Sequence, residues 1–460
     1  MVTREEIEKT LLSLEEPMLE TLKALVRIPS VKEEPAPGAP FGRPARQALD
    51  KALEICESLG FDCWQADGYA GHADLGEGSD RDALAILGHL DVVPVGDGWT
   101  LPPFEPTVRD GRMYGRGTSD DKGPVVAALY AMAAIRQLGI PLKRKVRLIM
   151  GTDEESGWED IAHYQKVCEM PRQGFSPDAD YPVINIEKGM LCLELTGKLA
   201  QTGLKVLSFS VGERHNVVPG IAEAVVEGDA ALADRINGTD FGCPVTAAMT
   251  PQGVLIRTEG IPGHAAMPEL GRNAIGQMLL VLKKLGAEGT IRTLADAIGM
   301  EYDGSSLGIR VSDEASGPLT LNIGIIRVED GLVRATLDLR CPILTDLDAL
   351  VKRAQGMLGG DIRVDVITKK EPHAVSEKSE LVVQLLRAYE EVTGLTGRAL
   401  AIGGGTYAKC LEEGVAFGAL FPGEKEMAHQ ADEYISISDL KKNLRIFTYA
   451  ILKLAAKEAY

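Results

Sequence analysis

Nowhere in the 460-residue chain does an apolar run reach the ~18 residues needed to cross a bilayer. The opening segment, Met1 to Lys9, is polar and charged and lacks the apolar core of a secretory signal. A soluble, unexported, cytoplasmic protein is the expectation. Positive charge is also scarce: 49 Lys and Arg face 67 Asp and Glu, a formal charge of −18 that repels phosphate backbones and anionic lipid and favours cations. Neither nucleic acid nor a membrane is therefore expected as a partner. Cysteine is sparse and unpatterned, seven residues (Cys56, Cys63, Cys168, Cys192, Cys243, Cys341 and Cys410) with no CxxC spacing. They read as reduced thiols, mostly buried, in a reducing compartment, with no catalytic role.

What is present is apolar substance and order. Hydrophobic residues make up 45% of the chain, and its length allows two domains at ~100–200 residues each. Thr3 and Glu6 match a capping box, and apolar positions from Ile7 to Ile28 recur at helical spacing, so the chain opens with an amphipathic helix. A second helix is expected from Pro44 to Gly60. Leu84 to Leu90, Lys145 to Met150 and Tyr181 to Ile186 are short apolar runs bounded by Gly, Asp and Pro and read as buried strands, with a helix from Val125 to Leu138. This alternation indicates an α/β fold, a mainly parallel sheet with helices on both faces.

From about Gly189 the pattern changes to alternating strands, such as Leu204 to Val211 and Val333 to Leu339, with a helix from Gly271 to Leu285. After Pro372 long helices return, Ser379 to Thr393 and Ser438 to the end, around an apolar strand from Val415 to Phe421. The expected organisation is one domain in two pieces, 1–188 and 376–460, with an inserted α+β domain at 189–375. A third independent domain is the alternative.

Candidate chemistry gathers at the strand ends. In LGHLDVVP, His89 and Asp91 stand two apart and share a face of the sheet. A carboxylate there suits the second ring nitrogen of a metal-binding histidine, although a strand-end pair facing water is the simpler reading. In GRGTSDDKG, Asp120 and Asp121 are adjacent; a cation would relieve their repulsion, and Asp121 would alternatively cap the following helix. In GTDEESG, Glu154 and Glu155 must point differently, so one can bind metal while the other takes a proton from water. SPDADYP offers Asp178 and Asp180, and FPGEKEMAHQADE offers His429. Two histidines and several acids without cysteine form the donor set of zinc, cobalt or manganese.

With these residues in hand, the sequence resembles the co-catalytic dinuclear metallopeptidases that include aminoacylases, carboxypeptidase G, succinyl-diaminopimelate desuccinylase and carnosinase. It looks most like the PepV-type (Xaa-His or carnosinase-like) dipeptidases, through GHLDVVP, GRGTSDDKG, TDEESG, SPDA and GGGTYA over nearly the whole chain. The resemblance implies a zinc-peptidase-like catalytic domain with an inserted lid, and two divalent ions, zinc first, with manganese or cobalt as alternatives. His89 and His429 would bind one ion each, Asp120 would bridge them, and Glu155 and Asp178 would complete the shells, with Asp180 or Glu187 as competitors for the last place. Asp91 would orient His89, Glu154 would be the general base, and the Asp120–Asp121 peptide would be cis.

In GERHNVVPG, GIPGHAAMPELGRNAI and LDLRCP, the resemblance assigns Asn216 and His264 to the reacting carbonyl and Arg340 to the substrate's C-terminal carboxylate. Gly403, Gly404, Gly405 and Thr406 would offer donors to that same carboxylate. Each has a plainer reading: His264 as a turn residue, Arg340 as a surface charge and the glycine run as a connection. His72, His163, His215 and His373 match no motif and are expected to be structural or exposed. The long insert favours a monomer, a dimer being the alternative. The implied activity is hydrolysis of dipeptides with a free carboxylate, including β-alanyl or D-residue dipeptides. An N-acyl-amino-acid deacylase or desuccinylase with the same centre is the nearest rival, and a non-catalytic binding protein is more distant.

Overall fold

In a computed structural model that describes residues 2–458, the chain forms two compact units. One comprises Met1–Asn185, Ala374–Leu400 and Gly405–Tyr460, the other Ile186–His373 and Ala401–Gly404. That Ala401–Gly404 gathers with the inserted unit is something no periodicity announces.

The first unit is built on a mixed sheet in the order Asp62–Ala66, Ala70–Leu75, Val146–Gly151, Leu84–His89, Gln173–Ser176, Glu413–Ala416 and Val183–Glu187, the last of which runs into the inserted unit from Ile186. Its middle four strands are parallel, and the pairings that flank them are antiparallel. Leu84–His89 and Val146–Gly151 are buried along their whole length, as strands covered on both faces must be. Leu84, Ile86, Leu148 and Met150 join the core formed with the long helices, while Ala85, Leu87 and Ile149 join a smaller cluster with Ile161, Tyr164 and Tyr407.

The helices Arg4–Val26, Lys122–Gln137 and Ile437–Ala455 pack together over the larger core. Arg4–Val26 starts with the expected capping box of Thr3 and Glu6. Lys122–Gln137 is buried on nearly every side, which explains its unbroken run of Val, Ala, Leu, Tyr, Met and Ile. The C-terminal helix stops at Ala455, and residues 459–460 of the expected extension lie outside the described residues.

Val415 to Phe421, expected as one strand, is two: Glu413–Ala416 and Ala419–Leu420. The break falls at Gly418, where φ is +80° and a Cβ would meet the Tyr181 ring at 2.4 Å. Because the four parallel strands run the same way, His89, Gly151, Ser176 and Ala416 finish at one edge, where α/β sheets present ligand sites.

The inserted unit holds an antiparallel sheet in the order Val245–Thr250, Gly253–Glu259, Ile221–Val226, Val206–Val211, Thr320–Glu329, Leu332–Cys341 and Gly189–Gly203, with Ile362–Lys370 on the far side of the last. Alternate residues of Gly253–Glu259 are buried, the mark of a sheet with one covered face. Helices Ala274–Lys284, Gly289–Ala297 and Leu347–Leu358 supply that cover through Met278, Leu282, Leu294 and Leu350. Among the described residues no helix is long and apolar enough to cross a membrane.

Candidate metal centre

Three neighbouring parallel strands each run into an acidic turn. His89 ends its strand in register with Gly151, Glu154 and Glu155 follow that neighbour, and Asp178 follows Gln173–Ser176. Asp120 arrives from the turn before helix Lys122–Gln137, and His429 from the loop before Tyr434–Ser436. The structure brings all of these together. His89 Nε2 lies 3.0 Å from Asp120 Oδ1 and 3.7 Å from Asp178 Oδ2. His429 Nε2 lies 3.0 Å from Asp120 Oδ2 and 3.0 Å from Glu155 Oε2. The two oxygens of Asp120 therefore face different histidines.

Donor atoms of His89, Glu154 and Asp178 fall within 4.8 Å of one another, and so do those of His89, Asp120 and Glu155. Asp180 is in neither group; it is exposed on a short ribbon paired with Leu420. Glu187 is buried and belongs to the inserted unit.

The supports around these side chains differ in places from expectation. His89 Nδ1 lies 3.0 Å from the Asp91 carbonyl and 3.4 Å from its carboxylate, which turns Nε2 toward the acids. The Asp91 carboxylate accepts the N–H of Glu154 at 3.2 Å and of Glu155 at 3.1 Å, so it braces the acidic turn as well. Asp121, weighed as a helix cap, makes no capping bond; its Oδ2 accepts the His89 N–H at 3.1 Å. That partner comes from the neighbouring strand and outcompetes the local one. The Asp120–Asp121 peptide is cis.

Two supporting carboxylates were not singled out from sequence. Glu433 accepts the N–H of Asp120 at 3.2 Å, and Asp160 accepts those of Thr152 and Asp153 at 2.6 and 3.0 Å and the Tyr407 hydroxyl. The only hint of either was position, at the end of HQADE and a few residues beyond GTDEESG.

Burial pushes the Glu154, Glu155 and Asp178 carboxyls up, and neighbouring acids push them further. Burial also acts to raise Asp120, but hydrogen bonds from His429 and His89 hold it well below the usual carboxylate range. Burial acts to lower His429, yet Asp120 and Glu155 raise it to about 10. The raised carboxyls of Glu154, Glu155 and Asp178 bind protons more readily, and a divalent cation would relieve the same crowding of negative charge. Imidazole and carboxylate donors, with no thiol in either group, fit an ion of the zinc, manganese or cobalt class.

In the inserted unit, Val217 pairs with His264 on a two-stranded ribbon, and Ala265 N–H bonds the Asn216 carbonyl at 3.0 Å, which sets Asn216 and His264 side by side. Arg340 is 3% exposed rather than a surface charge. Its Nε and Nη2 donate to Asp338 at 2.6 and 3.0 Å, and its Nη1 to the Gly403 carbonyl at 2.7 Å. His215, unassigned from sequence, places Nδ1 3.0 Å from the same Asp338. Gly404 lies in this unit, whereas Gly405 and Thr406 belong to the first, where the Thr406 hydroxyl accepts the Ala408 N–H.

Comparison with known proteins gives the family and the fold. The sequence pattern of Peptidase family M20/M25/M40 matches residues 85–453. A Bacillus subtilis (strain 168) protein named "Putative dipeptidase YtjP" is 39% identical over 458 residues, spanning 96% of this chain and 97% of its own length. A Staphylococcus epidermidis (strain ATCC 12228 / FDA PCI 1200) protein named "Putative dipeptidase" is 33% identical over 474 residues, spanning 98% and 100%. Human carnosine dipeptidase 1 shares the fold with a TM-score of 0.59 at 15% identity, over 98% of this chain and 99% of its own. The dipeptidase Dug1p of Saccharomyces cerevisiae does so with a TM-score of 0.61 at 14% identity, over 98% of each. The chain belongs to Peptidase family M20/M25/M40.

Proposed function

We propose that the protein is a metal-dependent dipeptidase that hydrolyses dipeptides carrying a free C-terminal carboxylate. The observation that carries this reading is Asp120, whose two oxygens each stand 3.0 Å from a different histidine. His89 and Asp178 would hold one divalent ion, His429 and Glu155 a second, and Asp120 would serve both, with zinc the first candidate and manganese or cobalt the alternatives. Bound there, such ions would supply Lewis-acid activation of water and of the scissile carbonyl.

Glu154 is the general base. Its backbone is held by Asp91, and its buried carboxyl gains affinity for protons, so it takes one from the attacking water and delivers it to the leaving amine. Asn216 and His264 donate to the carbonyl oxygen as charge develops on it. Arg340 anchors the substrate carboxylate with the two N–H groups of its five that are not given to Asp338 and Gly403, and the family resemblance gives Gly403, Gly404, Gly405 and Thr406 the role of further donors to it. The protein acts as a monomer in the cytoplasm, with a small peptide as its partner.

The test reconstitutes metal-free protein with zinc, manganese or cobalt and assays dipeptides, their C-terminal amides, and N-acetyl and N-succinyl amino acids. Free-acid dipeptides should be cleaved fastest, and Arg340→Ala should narrow their advantage over the amides. Faster cleavage of the acylated amino acids would make the protein a deacylase. An unchanged acid-to-amide ratio in Arg340→Ala would remove the anchor.

A further inference from the structure

Glu433 is fully buried and lies four residues past His429 in a loop where His429 itself takes φ +63°. One of its oxygens, Oε1, accepts three backbone N–H groups: Gly117 at 3.0 Å, Ser119 at 2.9 Å and Asp120 at 3.2 Å. The other, Oε2, accepts Arg116 Nη1 at 2.7 Å, and the Glu433 carbonyl accepts the Gly115 N–H at 2.9 Å. Arg116 is 1% exposed; it also donates to the carbonyls of Gln430, Pro94 and Val95 and lies over the Trp99 ring at 5.2 Å. A single carboxylate thus ties the turn carrying Asp120 to a loop 313 residues further along that carries His429.

The ligands on the other side have a different origin. His89 and Asp178 stand at or just beyond the ends of sheet strands, and Glu433 makes none of its hydrogen bonds to them. Bonds from the backbone N–H groups of Gly117, Ser119 and Asp120 fix where the Asp120 side chain starts, and the short chain segment back to His429 places that residue's backbone. We infer that Glu433 is a positioning residue that acts chiefly on the His429–Glu155 metal position, where it holds both the Asp120 turn and the loop of His429, and less on the His89–Asp178 position, which shares only Asp120. This rests on the two-ion reading above.

The experiment titrates metal-free, folded protein with cobalt(II), followed by visible absorption and calorimetry, with metal analysis of the product. Wild type should take two equivalents. Glu433→Ala should bind the first within about threefold of wild type and the second about 10–100-fold more weakly. Glu433→Gln, which keeps an acceptor for the three N–H groups, should weaken the second equivalent by less. If the Ala variant does not fold, the Gln variant carries the test, with the second equivalent weakened and the first unchanged.

A general loosening of the fold would weaken both equivalents alike, and that result, or two unchanged affinities, overturns the inference. A wild type that binds only one ion overturns the two-ion reading and the inference with it. Two ions in the wild type with parallel losses in the variants overturn the inference alone.

Discussion

In the inserted unit, Asp338 is 2% exposed and receives Arg340 through two nitrogens and His215 through a third, so its charge is answered from within. In the first unit, Asp91, Glu154, Glu155 and Asp178 beyond the strand ends and Asp120 before a helix converge on two histidines. A balanced buried cluster can serve as a rigid mount for a binding group. An unbalanced one remains short of positive charge until something from outside supplies it.

The strongest challenge to that contrast is at Glu154. Glu154→Gln should lower kcat roughly a hundredfold to ten-thousandfold while metal content stays as in wild type, because the residue moves a proton. His89→Ala should lose metal as well as turnover. Normal turnover in the Gln variant would dismiss the base, and metal analysis separates the two variants.

On the balanced side, Asp338→Ala leaves Arg340 buried without its counter-charge and should cost about 3–5 kcal/mol in thermal or denaturant unfolding, with metal content unchanged. A variant as stable as wild type would show that the pair is not the mount described.

The unbalanced side should also respond to pH. In metal-free protein His429 keeps its proton up to about 10, so an incoming ion must expel it. Affinity should rise with pH below that value, by about tenfold per unit for each proton released. A flat competition titration between about pH 6 and 8 would contradict the hydrogen-bonded pairing of His429 with Asp120 and Glu155. The smallest effect belongs to Tyr407→Phe, which removes a donor from the carboxylate that braces Thr152 and Asp153; a loss of about 1 kcal/mol in stability and a few-fold fall in kcat are expected.

The strand-end residues were legible because their signals are local. A buried strand shows as a short apolar run, and an acidic turn directly after it is visible in GHLDVVP and GTDEESG. Asp121 was open to misreading as a cap because its partner, the His89 N–H, lies 32 residues away, and Glu433 was invisible because its partner lies 313 residues away. The Arg340–Asp338 pair stands between these cases. Two residues apart on one strand, they share a face, and the spacing in LDLRCP already permitted the bond. The break at Gly418 depends on the Tyr181 ring, which no property of the 415–421 segment reports.

The strand Glu413–Ala416 lies between Gln173–Ser176 and Val183–Glu187, both of which are synthesised long before it. The first unit therefore has a gap in its sheet until residues 413–416 have emerged, while most of the inserted unit is one continuous segment that can fold in the interval. His429 emerges later still, so a chain that stops between these strands and His429 would carry a sheet without its full site.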